Sequence, residues 1–86
     1  MNDKVIIRII VPEISKSYDM FLPINKKIGT IVHLLNKGIN ELSNGDFPIT
    51  NTCKLYNAET LQMYEPNVLL FNTDIRNSTK LVILSK

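Results

Sequence analysis

The order of apolar and polar positions divides the chain into six predicted elements. From Lys4 to Val11 the sequence is dense in Ile and Val, which favours an extended strand. Within it Val5, Ile7, Ile9 and Val11 fall on one face, and Lys4, Ile6, Arg8 and Ile10 on the other. Successive side chains of a strand alternate in direction, so the wholly apolar odd set is expected to face the core. Pro12–Ser17 is polar and reads as a turn. A second strand follows over Tyr18–Leu22, closed by Pro23, which has no N–H to give a ladder. The two strands form a hairpin.

The clearest periodicity comes next. Ile28, Ile31, Val32, Leu35, Ile39 and Leu42 recur at helical spacing and form a stripe roughly 100° wide. Asn25 is a natural cap before it, and Asn44-Gly45 a natural stop after it. The helix is expected to run to about Leu42. Gly38 lowers its propensity by ~1 kcal/mol relative to alanine and offers an earlier end. Asp46–Thr52 reads as a loop, Cys53–Tyr56 as a short strand, Asn57–Thr60 as a turn and Leu61–Tyr64 as another short strand. Glu65–Asn77 mixes Pro, Asn and Asp with Leu69, Leu70, Phe71 and Ile75, a long connection pinned by its apolar residues. Thr79–Ser85 is the last strand. The helix stripe should pack on the sheet face bearing Val5, Ile7, Ile9, Leu55, Leu81 and Ile83.

Length and composition narrow the classes. Eighty-six residues make one domain, taken as 1–86, with 44% apolar and 21% charged residues. The net charge of +2 is scattered without a basic stripe, so nucleic-acid binding gains no support. Cys53 stands alone, so no intrachain disulfide can form, and no apolar run approaches the ~20 residues that span a bilayer. The start of the chain lacks the features of a signal peptide. A cytoplasmic protein without membrane insertion is expected.

The element order is α+β: ββαββ plus a final strand, a mixed sheet packed on one helix. That is the β-grasp order, and the run from Leu70 through Phe71-Asn72-Thr73-Asp74-Ile75 and Ser78-Thr79 to Leu84 resembles the closing segment of ubiquitin. Tyr18-Asp19-Met20-Phe21-Leu22-Pro23, Lys26-Lys27-Ile28 and the short ending resemble the YukD/EsaB family of ubiquitin-like proteins. Members of that family accompany type VII secretion systems of Gram-positive bacteria. The resemblance implies a cytosolic accessory or regulatory protein whose partners are components of the secretion machinery.

Candidate chemistry is sparse. Ubiquitin and sulfur carriers act through a flexible Gly-Gly end, whereas this sequence closes Ile83-Leu84-Ser85-Lys86 with its glycines at 29, 38 and 45. A non-conjugated protein is expected; a modifier or sulfur carrier is the alternative if the native chain were longer and ended in Gly-Gly. His33 and Cys53 are expected to lie apart, His33 opposite the apolar stripe and Cys53 on a strand beneath it, with no third group to orient a nucleophile. One His and one Cys give no zinc spacing, and the acidic residues are spread singly. No cofactor, metal or catalytic residue is assigned. Lys26 and Lys27 are placed in the first helical turn, exposed.

The face of the sheet away from the helix is the exception to a clean pattern. Ile6, Arg8 and Ile10 share it with Lys80, Val82 and Leu84, and with Tyr56 and Lys54. A solvated sheet face normally alternates more strictly. Ile6, Arg8, Ile10, Tyr56, Val82 and Leu84 are therefore the candidate protein-interaction surface. A loop, the N-terminus or the tail folded over it, or a homodimer through it, are the other readings. Phe21 should also point outward, either to a partner or beneath the N-terminal residues or a loop.

Overall fold

The computed structural model describes residues 3–86. Four strands and one long helix make up its regular structure: β1 (Lys4–Val11), β2 (Lys16–Pro23), α1 (Ile28–Leu42), β3 (Lys54–Asn57) and β4 (Lys80–Leu84). Short 3-10 turns occupy Pro12–Ile14 and Leu70–Asn72. The sheet order is β2-β1-β4-β3. β1 pairs antiparallel with β2 and parallel with β4, and β3 closes the other edge antiparallel to β4.

Strand parity is as the pattern requires. Ile7, Ile9, Val11, Leu55, Leu81 and Ile83 are buried, and Val5 packs half-buried against them. α1 lays Ile28, Ile31, Leu35 and Ile39 on this face. Leu42 keeps the stripe's angle yet is exposed, because it ends the helix. The core beside the last turn is filled instead by Phe47, whose N–H donates to Ser43 Oγ and whose carbonyl accepts from Asn40 Nδ2. Asn44 (φ 53°) and Gly45 (φ 87°) turn the chain there in left-handed conformations, as their sequence suggests.

Three local expectations are corrected. The helix cap is Lys27, without a side-chain cap bond, and not Asn25. The first helical N–H groups are taken from a distance: Ile28 N donates to Val68 O and Gly29 N to Pro66 O, both at 2.9 Å. Carbonyls of the long connection satisfy donors that a capping side chain would otherwise have to meet. Lys26 and Lys27 thus precede the first turn, and a bridge joins Lys27 to Leu69.

The strand expected over Leu61–Tyr64 is reduced to a single bridge between Met63 and Tyr56. Asn57 Oδ1 accepts from Glu59 N (2.8 Å) and Thr60 N (3.0 Å), and Leu61 takes φ 63°. The turn so tightened leaves only Met63 in extended register. The remaining strand limits shift by one or two residues, as frayed ends do: β2 lengthens to Lys16–Pro23, β3 moves to Lys54–Asn57, and β4 shortens to Lys80–Leu84.

Candidate protein-interaction face

The face of the sheet opposite α1 follows from pairing register. Phe21 lies opposite Ile6, and Asp19 opposite Arg8, which is flanked on its other side by Lys80. Ile10 neighbours Val82, and Val82 neighbours Tyr56. Leu84, two residues further along β4, lies opposite Lys54. The six candidate residues are thus on one face, but in two apolar groups. Ile6 (37% exposed) stands with Phe21 (68% exposed) at one corner. Ile10, Val82 and Tyr56 form a half-buried row, extended by half-buried Leu84, at the other. A charged row runs between the groups.

Arg8 organises that row. Its guanidinium pairs with Asp19 at 3.3 Å and donates to Ser17 Oγ at 3.2 Å. Both members of the ion pair are about half exposed, so the pair adds little to stability. Lys80 is exposed, with Arg8 as its register partner. Two open hollows adjoin these cations. One, ≈ 370 Å³, is lined by Arg8, Lys80, Lys16 and Ile10; the other, ≈ 300 Å³, by Arg8, Lys80, Asp19 and Ile6. Phe21 was legible as outward-facing from parity alone; its place beside Ile6 depends on the hairpin register, which composition does not encode.

His33 and Cys53 both line a groove of ≈ 360 Å³ between α1 and β3, together with Val32, Asn36, Met63 and Tyr64. The segment before β3 is tied to the helix flank by Asn36, whose Oδ1 accepts from Thr50 N at 2.9 Å. The half-buried Cys53 thiol lies 3.5 Å from Thr50 Oγ1, and His33 is exposed. Among the described residues no group of three or more His, Cys, Asp or Glu could hold a metal ion, and no helix is long and apolar enough to cross a membrane.

No protein-family model matches the sequence, and no curated protein matches it. Solved structures do resemble its fold. A chain of the MycP5-free ESX-5 inner membrane complex, State II, superposes with TM-score 0.78 at 17% identity, over 96% of this chain and 21% of that one. This chain therefore spans about a fifth of that protein's length. The EccD5 ubiquitin-like domain from Mycobacterium xenopi gives 0.77 at 13% identity, covering 96% and 94% of the two chains. The ubiquitin-like domain of the Mycobacterium tuberculosis type VII secretion system protein ECCD1 gives 0.73 at 12%, covering 99% and 100%. The fold is the ubiquitin-like β-grasp. Its neighbours include ubiquitin-like domains of type VII secretion proteins.

Proposed function

We propose that this chain is a ubiquitin-like accessory or regulatory protein of a bacterial type VII secretion system, acting in the cytoplasm by binding protein components of that machinery. The observation that carries the reading is the outward sheet face, where Ile10, Val82 and Tyr56 form an apolar row beside Arg8 and Lys80. A fold alone does not define a function. The direction is supplied jointly by the sequence resemblance to the YukD/EsaB family and by the secretion proteins among the structural neighbours. Ile6, Arg8, Ile10, Tyr56, Val82 and Leu84 are the proposed contact residues, and Phe21 joins them through its pairing with Ile6.

The test is genetic and biochemical. In a host carrying this gene and a type VII system, deletion should lower the amount of secreted substrate. The wild-type gene should restore it. Val82→Glu, which places a charge at the centre of the apolar row, should fold with unchanged circular dichroism yet fail to restore secretion. Secretion unchanged by deletion would sink the reading, and full rescue by a folded Val82→Glu protein would remove the face from it.

A further inference from the structure

Arg8 and Lys80 sit side by side on neighbouring strands, about 4.8 Å apart in the hydrogen-bonding direction, pointing to the same side. Like charges so placed oppose sheet formation. Asp19 compensates Arg8 from the far side, across β2. Lys80 has Arg8 on one side, and on β3 the register runs past it. Lys54 is likewise exposed on this face, opposite apolar Leu84. Among the described residues, Asp19 is the one carboxylate that the strands direct outward. The face therefore carries an excess of positive charge directly beside its apolar row, and both open hollows on it are bordered by the Arg8–Lys80 pair.

We propose that the occupant of this face is an acidic-apolar segment of a protein partner, with a carboxylate set between Arg8 and Lys80 and an apolar side chain on Ile10, Val82 and Tyr56. The proposal rests on the reading of this face as the protein-binding surface and names the chemistry of the partner. A bound carboxylate would offset the like-charge juxtaposition that the free sheet tolerates, and would gain a charge-assisted hydrogen bond from the guanidinium. A second copy of the chain is disfavoured as occupant. A two-fold interface presents the same patch to itself, so a face with an excess of positive charge would meet that same excess on its copy.

The experiment uses the whole chain and, as probes, the purified cytosolic domains of the type VII membrane proteins from the same host. Association is measured at low and at high salt for wild type, Lys80→Glu, Lys80→Gln, the double variant Arg8→Gln/Lys80→Gln, and Val82→Glu. The expected result is binding that weakens with salt, mainly through its on-rate. Lys80→Glu should bind at least tenfold more weakly, about 1.4 kcal/mol. It should nevertheless melt no lower than wild type, because the introduced carboxylate would face Arg8; a merely structural role for Lys80 does not separate the two readouts. Val82→Glu should also lose binding. If Val82→Glu abolishes binding while the charge variants and salt leave it unchanged, the acidic-partner proposal fails and the surface stands. If neither class of variant matters, both fail. Equal or stronger binding to anionic phosphatidylserine vesicles than to any protein domain overturns the proposal. So does a dimer in sedimentation that Val82→Glu dissolves, or the absence of binding to every domain.

Discussion

Tyr64 donates its hydroxyl to Asp74 Oδ1 at 2.7 Å while accepting from Asn57 Nδ2 at 3.0 Å. Asn57 is buried at the end of β3, and Asp74 lies in the connection that leads to β4. The phenol thus ties the edge of the sheet to a segment that has little regular structure of its own. Burial, reinforced by the hydrogen bond to Asp74, pushes its pKa up to about 12, against an opposing contribution from Asn57.

The sign of the resulting pH dependence follows from that shift. In the unfolded chain the phenol ionises near its ordinary value of 10.0, whereas in the folded chain it stays protonated to about 12. The stability it contributes is complete below pH 10 and is lost as pH rises towards 12. Urea midpoints of wild type should fall through this window more steeply than those of Tyr64→Phe. Parallel curves for the two proteins would show that the phenol titrates as if free.

Leu35 lies in the middle of the helix stripe and is 1% exposed among Ile7, Ile31 and Leu81 of the same core. Leu35→Ala should cost ~2–5 kcal/mol, the range for a buried leucine truncated without full collapse of the cavity. A domain of this size has only ~5–15 kcal/mol to lose, so the midpoint of denaturant unfolding should drop markedly. An unchanged midpoint would show that the stripe is not the packed face.

Asn36 is 1% exposed on the flank of the same helix, although the hydrophobic pattern assigns such a residue to solvent. Its Nδ2 donates to Pro48 O at 3.0 Å and its Oδ1 accepts from Thr50 N at 2.9 Å. Both ends of the side-chain amide are used on the backbone of the loop before β3. Asn36→Ala should cost ~1–3 kcal/mol by stranding those groups. Amide exchange at Thr50 should quicken well beyond any change in α1. Uniform quickening across the chain would mean that the loop is not separately held.

Strand parity and the helix stripe were legible because burial imposes periods of 2 and 3.6 on the residues themselves. Val5 to Val11 and Ile28 to Ile39 display those periods without help from any distant contact. Contacts between backbone and remote backbone leave no such trace. Pro66 and Val68 cap α1 through carbonyls that any residue carries. The tether from Asn36 to Thr50 joins residues 14 positions apart, and His33 and Cys53 share a groove. On the candidate face, parity identified Ile10, Val82 and Tyr56 as outward-facing. The separation of Ile6 and Phe21 from that row, by Arg8 and Asp19, required the register of the hairpin.

Gly38 stands within α1 at an ordinary helical φ, so nothing in its backbone demands glycine. The constraint to weigh is space. A Cβ built there would approach Met20 Cε, from β2, at 3.0 Å. That contact is too close as it stands, but the atom met is the tip of a half-buried, unbranched side chain with three rotatable bonds. A displacement of a few tenths of an ångström at a methionine methyl is small against the ~1 kcal/mol by which alanine exceeds glycine in a helix interior. Gly38→Ala should therefore stabilise the protein by ~0.5–1 kcal/mol, with a rise in Tm of roughly 4–8 °C per kcal/mol. Met20→Leu is the informative companion: it lacks the ε-methyl that the new Cβ would meet, so the gain from Gly38→Ala should be kept or enlarged in that background. A fall in Tm for Gly38→Ala in the wild-type background would show that Met20 is locked between β2 and α1, and that glycine is kept at position 38 to let the helix sit close to the edge strand.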